Sequence, residues 1–373
     1  MTFRGKTAGF ILRRILPALA GALLLFTSGL TGALAESTAD GDLDGDGLSC
    51  AADAAAVLRL AADAGASADS VADVTQSGTV DETDARVLLS YATGQIPSLE
   101  ALAERLQSGL CDESLFDKFS YTGVEESAGE YYRSDSVSIT ITQYQFHKQV
   151  GENYRLITCY AADIYIQDIS SFQTALSSDE FHGTYQLVLD MAVEHDALVA
   201  ISGDFYNSSL HTGPVCRNGV WYRQDESDEM DICVLGYDGV LSTYLAGTYD
   251  IADIVAQEPC QVWCFGPSLI AEDGGLPASY NAGVSIQREN PRSAVGSDGP
   301  GHYIFLLADG RRPTYSSGFD MEGLSEFFIE LGCTVAYNLD GGRTAVMATR
   351  DGLVSIPIEL QRPVSDILYI SEP

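Results

Sequence analysis

Alternation of apolar and polar positions dominates the chain from Val137 onward. Val137-Ser-Ile-Thr-Ile141 and Ile164-Tyr-Ile166 carry β-branched or aromatic residues at every second position. A period of two predicts half-buried strands. The apolar run from Ala197 to Ile201 predicts a further strand that is buried on both faces. These signals predict a sheet-rich domain over residues 136–373.

Helical periodicity is much rarer in this part of the chain. Leu324, Phe327, Phe328 and Leu331 fall at i, i+3, i+4 and i+7, and Gly332 follows as a C-terminal stop. Residues 184–195 are a second helix candidate. Few helices among many strands predict the α+β class, with a mixed or antiparallel β-rich domain.

The N-terminus has the pattern of an export signal. Arg4, Lys6, Arg13 and Arg14 precede an apolar run from Ile15 to Leu34, and Ala33-Leu34-Ala35 has the small-x-small form of a cleavage site. We therefore predict a signal peptide over residues 1–35 and a secreted or cell-surface protein. An uncleaved membrane anchor is the alternative, and it also places the remaining chain outside the cytoplasm.

An acidic repeat follows, with Asp42 to Asp53 in the first copy and Asp73 to Asp84 in the second. A calcium loop of the EF-hand kind needs oxygen ligands at positions 1, 3, 5, 7 and 12, and glycine at position 6. Gly47 and Gly78 occupy position 6. The predicted ligands, with Leu48 and Thr79 acting through their carbonyls, are Asp42, Asp44, Asp46, Leu48, Asp53, Asp73, Thr75, Ser77, Thr79 and Asp84.

Each loop runs directly into an alanine- and leucine-rich segment of helical composition, which predicts a small all-α module over residues 36–96. Paired loop–helix units with aspartate at the last ligand position resemble the dockerin module. The resemblance implies structural calcium and attachment to a cohesin-bearing scaffold protein. The alternative is that calcium only stabilises a small domain. Residues 97–135 are predicted to be a linker with one helix, Leu99 to Leu110.

The charge balance narrows the partners. The chain has 20 Lys and Arg residues against 53 Asp and Glu residues, a formal net charge of −33. Because this charge repels phosphate backbones, we predict no nucleic-acid partner. Eight cysteines permit disulfides in an exported protein, but their pairing stays open.

Three segments of the C-terminal part place polar residues where apolar strands end: Ile201-Ser-Gly-Asp-Phe-Tyr-Asn207, Asn290-Pro-Arg-Ser-Ala-Val-Gly296 and Ala336-Tyr-Asn-Leu-Asp-Gly-Gly342. Gly203 allows close approach of a ligand, although aspartate after glycine is also common in turns. Arg292 offers a guanidinium fork that matches phosphate, or a salt bridge. Asn338 and Asp340 are expected on one strand face, where burying them without partners is costly.

Together these segments resemble the phosphodiester glycosidase family, as an N-acetylglucosamine-1-phosphodiester alpha-N-acetylglucosaminidase-like domain. The same order holds through Arg217-Asn-Gly219, Phe265-Gly-Pro267, Asp309-Gly310 and Val364-Ser-Asp366. The resemblance implies hydrolysis of a sugar 1-phosphodiester, on a cell-surface or secreted polysaccharide, without a catalytic cofactor. The catalytic residues it implies are Asp204, Asp340, Arg292 and Asp309. On this basis we predict Gly203, Asn338, Gly341, Gly342, Arg343 and Thr344 as substrate-binding residues.

One departure separates this chain from the family. The family follows the paired glycines with Gly-Ser-Ser-Thr, and this chain has Arg343-Thr344-Ala345-Val346. Thr344 keeps a hydroxyl, whereas Arg343 adds bulk and charge where close approach was free. The alternative interpretation is therefore a catalytically inactive glycan-binding or scaffold component with the same fold.

Overall fold

A computed structural model describes residues 41–62, 71–150, 153–207, 213–358 and 360–373. The predicted signal peptide, residues 1–35, lies outside the described residues. The described residues belong to one compact unit that begins at Asp40 and runs to Pro373. Among them, no helix has both the length and the apolar character needed to cross a bilayer.

Three helices build the N-terminal part: α1 (Ala51–Ala61), α2 (Glu82–Ala92) and α3 (Leu99–Ser108). Cys50 and Asp81 are the N-cap residues of α1 and α2. The third residue of each helix, Asp53 or Asp84, accepts a hydrogen bond from the backbone N–H of its N-cap residue at 2.9 Å. These reciprocal bonds satisfy N–H groups that a helix leaves free. Apolar side chains of the three helices, among them Val57, share one buried cluster.

Four α-helices follow in the described C-terminal part: α4 (Val188–Glu194), α5 (Ile251–Ala256), α6 (Val284–Gln287) and α7 (Met321–Glu330). The strands are β1 (Glu125–Ser127), β2 (Tyr131–Arg133), β3 (Val137–Val150), β4 (Asn153–Ile166), β5 (Phe172–Leu176), β6 (Val199–Ser202), β7 (Val215–Arg217), β8 (Val220–Arg223), β9 (Ile232–Leu235), β10 (Leu241–Tyr244), β11 (Gln261–Cys264), β12 (Arg292–Gly299), β13 (His302–Ala308), β14 (Val335–Asn338), β15 (Met347–Thr349), β16 (Gly352–Leu353) and β17 (Asp366–Ile370).

These strands form three sheets. The first has seven strands in the order β1-β2-β3-β4-β13-β12-β14, the second has β10-β9-β11-β7-β8, and the third has β16-β15-β6-β17-β5. Every strand pair in the described part of the chain is antiparallel. The few helices and many strands confirm the predicted sheet-rich fold.

The faces of the three sheets share one apolar core. Trp263 from the second sheet, Ile201 from the third and Phe305 from the first are all fully buried in it. Helix α7 covers the outer face of the first sheet, where Phe328 packs so closely that a β-carbon at Gly296 would lie 2.7 Å from its ring. This core holds the strand ends that carry the site.

Several predicted element bounds differ from the structure. The helix expected over residues 184–195 is α4, which begins only at Val188. Strands β1 and β2 lie inside the stretch predicted as a linker, and they extend the first sheet because β2 pairs with β3. Strand β14 ends at Asn338, so Asp340 does not continue its alternation.

Candidate active site

The site begins where three strand ends from two sheets meet. The N–H of Gly203, after β6, donates to the carbonyl of Asp366 at the start of β17, at 2.9 Å. The N–H of Asp340, after β14, donates to the carbonyl of Gly203, also at 2.9 Å. The Ser202 hydroxyl donates to the Asp340 carbonyl at 2.8 Å. These bonds bring two of the predicted carboxylates, Asp204 and Asp340, to one end of the sheets.

Asp204 lies in an enclosed ionic cluster. Arg217 Nη2 is 2.8 Å from Asp204 Oδ1 and 2.9 Å from Asp366 Oδ2, and all three side chains are buried. Asp204 Oδ1 and Oδ2 also accept from the backbone N–H groups of Tyr206 and Cys264, at 3.0 and 2.8 Å. Both oxygens of Asp204 therefore have partners inside the protein.

This cluster carries two carboxylates against one guanidinium. The pKa of Asp366 is raised to about 7, because burial and the neighbouring Asp204 raise it more than Arg217 lowers it. Gly203 is required beside it, because a β-carbon there would lie 2.4 Å from the Asp366 carboxylate. Gly203 thus leaves room for the Asp366 carboxylate beside the backbone of the loop after β6.

Asp340 lies in a more open pair. Its Oδ2 accepts from Arg362 Nη2 at 2.5 Å, and the side chains are 10% and 37% exposed. Burial raises the pKa of Asp340, and the charge of Arg362 acts in the opposite direction. The Arg362 guanidinium also lies over the ring of Phe205, 4.5 Å from its centroid. This pair combines a largely buried carboxylate with a cation that solvent reaches.

The paired glycines after Asp340 fit against the loop that contains Pro291. Gly342 N–H donates to the Pro291 carbonyl at 2.9 Å, and a β-carbon at Gly341 would lie 2.5 Å from that oxygen. The Thr344 hydroxyl donates back to the Gly341 carbonyl at 2.7 Å, and Thr344 is buried. Arg343 is exposed between them. The turn is thus held rigidly while the Arg343 side chain faces solvent.

Arg292, the predicted phosphate ligand, is buried and bonded to carbonyls. Its Nε donates to Phe319 at 3.0 Å, and its Nη2 donates to Ile286 and Arg288 at 2.5 and 2.6 Å. Burial lowers the pKa of Arg292 to about 10, with Arg311 also lowering it. These bonds hold the backbone around residues 286–290, and Arg362 is the guanidinium in contact with Asp340.

Asp309 and Asn338 lie deeper in the protein. Asp309 Oδ2 accepts from the Tyr315 hydroxyl at 2.9 Å and from Ile356 N–H at 3.3 Å, and burial raises its pKa. Asn338 Nδ2 donates to the Gly266 carbonyl at 2.8 Å. Asn338 Oδ1 is buried without a hydrogen-bond partner among the described residues. An unpaired acceptor of this kind is costly in a folded protein.

Three residues of this arrangement had not been predicted as site residues: Arg217, Arg362 and Asp366. Arg217 and Asp366 lie in segments that support the family resemblance, but their spacing along the chain does not predict their contact. Arg362 had one usable signal, since it is an isolated cation beside Pro363 in a strongly acidic chain. His211, the histidine nearest to Asp204 in sequence, lies outside the described residues.

Comparison with known proteins finds a likeness over this part of the chain. The model of the phosphodiester glycosidase family matches residues 195–371. The matched residues are slightly under half of the chain and are similar to a phosphodiester glycosidase domain. This domain contains both carboxylate clusters, the glycine turn and the arginines described above.

Two proteins illustrate the likeness. The SPbeta prophage-derived uncharacterized protein YomE of Bacillus subtilis (strain 168) is 26% identical over 193 residues, which are 50% of this chain and 30% of that protein. The chain therefore spans about a third of the length of this curated relative. The zebrafish N-acetylglucosamine-1-phosphodiester alpha-N-acetylglucosaminidase catalytic domain, auto-inhibited by its pro-peptide, has a TM-score of 0.53 at 19% identity. The match covers 68% of this chain and 90% of that one.

The acidic loops outside the glycosidase domain contain residues that could hold a metal ion. One carboxylate oxygen from each of Asp42, Asp44 and Asp46 lies within 4.8 Å of the others. Gly47 adopts φ +89° and Gly78 φ +90°, and each donates its N–H to the first aspartate of its loop. In the second loop the Thr75 hydroxyl already donates to Asp84, at 2.9 Å. The first loop thus fits a hard cation better than the second.

Proposed function

We propose that this protein is an extracellular hydrolase that cleaves a sugar 1-phosphodiester of a cell-surface or secreted polysaccharide. The observation that carries the proposal is the contact between Asp340 and the partly exposed Arg362 within the phosphodiester glycosidase-like domain. A carboxylate and a solvent-accessible guanidinium in contact can serve the two halves of such a substrate, the sugar and the phosphate.

The reaction breaks the bond between sugar C1 and the phosphate oxygen. Water attacks C1 as the positive charge on the ring carbon develops, and the phosphomonoester leaves with the electron pair of the broken bond. Asp340 accepts the proton from that water, while Arg362 stabilises the charge on the leaving phosphate. The phosphomonoester is a good leaving group, so no strong general acid is required.

The electrostatics of Asp340 suit this role. Burial raises its pKa toward the working range of a base, and contact with Arg362 keeps it ionised before substrate arrives. When phosphate engages Arg362, the ligand partly neutralises the positive charge that lowers the pKa of Asp340. Asp340 then becomes a stronger base at the moment when water must be activated.

We assign Asp204 and Arg292 to positioning. Asp204 holds the end of β6 through Arg217 and two N–H groups, and Arg292 holds the loop against which Gly341 packs. Asn338 and Asp309 line the ends of neighbouring strands as supporting polar groups. In this assignment, the three glycines allow close packing: Gly203 against the Asp366 carboxylate, Gly341 against the Pro291 carbonyl and Gly342 against the Arg311 guanidinium. The substrate approaches the turn between Asp340 and Thr344.

Turnover in ¹⁸O-water tests the proposal. The mature protein, residues 36–373, would be incubated with a panel of sugar 1-phosphodiesters. Free sugar and phosphomonoester would then be analysed by mass spectrometry. We expect the label in the sugar, because C1–O cleavage adds water to carbon. Asp340→Asn should lower turnover at least about 100-fold, and exposed Glu272→Gln should leave it unchanged.

Label in the phosphate would make the enzyme a phosphodiesterase and overturn the glycosidase assignment. Equal turnover by Asp340→Asn would remove Asp340 from the chemistry. No turnover of any substrate, with retained binding of the same glycans, would favour the inactive glycan-binding alternative.

We further propose that residues 36–96 are a dockerin-like module that binds structural calcium and attaches the enzyme to a cohesin-bearing scaffold. The oxygen cluster of Asp42, Asp44 and Asp46 supports the calcium part. Calorimetric titration of the chelator-treated protein should show calcium binding that Asp44→Asn weakens by about tenfold or more. Glu100→Gln, which removes an exposed carboxylate from α3, is the matched control.

Absence of calcium binding would remove the module's structural ion, and calcium binding without cohesin capture would leave only a stabilising role.

Export is the remaining part of the proposal. It predicts that the mature protein recovered from its host begins at Glu36, which N-terminal sequencing would check. Retention of residues 1–35 would indicate the membrane anchor instead.

A further inference from the structure

Two exposed guanidiniums flank the glycine turn beside the Asp340–Arg362 pair. Arg311, in the left-handed conformation with φ +57°, donates through Nε and Nη2 to the Asn290 side-chain carbonyl at 3.1 and 2.9 Å. A β-carbon at Gly342 would lie 3.1 Å from Arg311 Nη2. Arg343 follows directly, and its carbonyl accepts from the N–H of Arg362 at 2.9 Å. The backbone thus places both arginines next to the Arg362 side of the site.

The cations of the described residues divide into those with a carboxylate partner and those without one. Arg86, Lys148, Arg155, Arg217, Arg312, Arg350 and Arg362 all have a carboxylate partner. Among the described residues, neither Arg311 nor Arg343 has one, although the chain has 53 acidic residues. Both side chains are exposed, so their charges can act on an incoming ligand.

A single phosphodiester does not need these two cations. Arg362 already contacts Asp340 and offers one guanidinium to the scissile phosphate. Arg311 packs against Gly342, and Arg343 is the next residue along the turn. A protein of net charge −33 also repels anionic ligands at long range, so a substrate with several negative charges requires local positive charge at each of them.

We infer that Arg311 and Arg343 form a second anion subsite, and that the substrate is a glycan polymer whose repeating units are joined by phosphodiesters. The inference rests on the proposed hydrolase function for its substrate, but the subsite itself can be measured without turnover. Arg362 engages the phosphate of the bond that is cleaved. The Arg311 and Arg343 guanidiniums engage the phosphate of the neighbouring repeat.

Binding of inorganic phosphate and inorganic tripolyphosphate to the full-length protein, measured by calorimetry, tests the subsite. We expect tripolyphosphate to bind at least about tenfold more tightly than orthophosphate at low salt. Arg343→Gln and Arg311→Gln should each reduce that ratio by about threefold or more. Arg59→Gln removes the same charge from exposed α1 and should leave the ratio unchanged. Equal effects of Arg59→Gln and Arg343→Gln would overturn the subsite.

The turnover arm compares a sugar 1-phosphate methyl diester with an oligomer of three or more of the same sugar phosphate units. We expect Arg343→Gln to lower kcat/KM for the oligomer at least about fivefold more than for the methyl diester. Hydrolysis of the methyl diester with no such difference would refute the second subsite and leave the hydrolase intact. Tripolyphosphate selectivity without any hydrolysis would keep the subsite and refute the hydrolase.

Discussion

Two ionic clusters, built from the same residue types, occupy the same end of the sheets in different surroundings. Asp204, Arg217 and Asp366 are enclosed, and their charged atoms contact one another and backbone N–H groups. Asp340 and Arg362 form a single contact at the surface, with the guanidinium 37% exposed. The first cluster joins strand ends, whereas the second leaves one cation accessible to solvent.

The difference shows why a carboxylate near a glycine is weak evidence for catalysis by itself. A buried ion without a partner is strongly unfavourable, so Arg217 is necessary for the fold around Asp204 and Asp366. Asp340 is also largely buried, but its partner Arg362 is partly exposed, so the cation of this pair stays within reach of a ligand. Burial, and not residue type, separates the two roles in this domain.

The largest expected effect is on stability. Arg217→Leu should lower the free energy of unfolding by about 3–5 kcal/mol, because it leaves two buried carboxylates without a cation. Arg362→Leu should lower it by less than Arg217→Leu does, because only one carboxylate loses its cation and that pair is partly exposed. Urea unfolding followed through buried Trp263 would measure both. Similar losses for the two variants would erase the distinction between the clusters.

The second prediction exchanges stability for activity. Asp340→Asn should reduce kcat on a hydrolysed diester at least about 100-fold with little change in the urea midpoint. Asp204→Asn should lower the midpoint, because a neutral amide places an N–H group where Arg217 or a backbone N–H now donates. An Asp204→Asn protein with normal stability and no activity would place Asp204 in the chemistry.

The third prediction concerns pH. The pKa of Asp366 in the folded protein is raised to about 7, against about 3.9 for an unfolded aspartate. Between these values the folded state binds more protons than the unfolded state, so this group's contribution is fully present below pH 4 and is lost as pH rises through 7. Asp366→Asn should therefore flatten the fall in stability between pH 5 and 8, by roughly 2 kcal/mol.

Urea midpoints of the parent, Asp366→Asn and the exposed-site control Glu272→Gln, measured at pH 5 and pH 8, would check this expectation. A steeper fall in the Asp366→Asn protein than in the parent would contradict the direction of the pKa shift. If the Glu272→Gln control differed from the parent protein in the same way as Asp366→Asn, the change would reflect net charge.

The smallest expected effect is on substrate affinity. Arg362→Gln should raise KM for a monodiester about tenfold, since it removes a charged donor to phosphate and leaves a shorter, neutral polar side chain. Added salt should reduce the difference between parent and variant, because the pair is partly exposed. A salt-independent difference would indicate that Arg362 acts through the packing of Phe205.

Local patterns accounted for much of the fold. Alternation found the strands that contain Val137 and Ile164, and four apolar positions with a following glycine found α7. These predictions succeed because strand and helix periods appear within a few residues of sequence. The ends of elements were less predictable, as α4 and β14 show, since tertiary hydrogen bonds decide where an element stops.

The sequence by itself determined the acidic character, the repeated acidic loops, the sheet-rich class and the family resemblance of the C-terminal part. It also identified Asp204, Asp340 and the paired glycines as candidates. Only the tertiary structure decided that Asp204 faces Arg217 and Asp366, and that Arg362 faces Asp340. The physical reason is distance along the chain. Partners 149 and 22 residues apart leave no periodic signal, and their burial depends on three sheets closing around them.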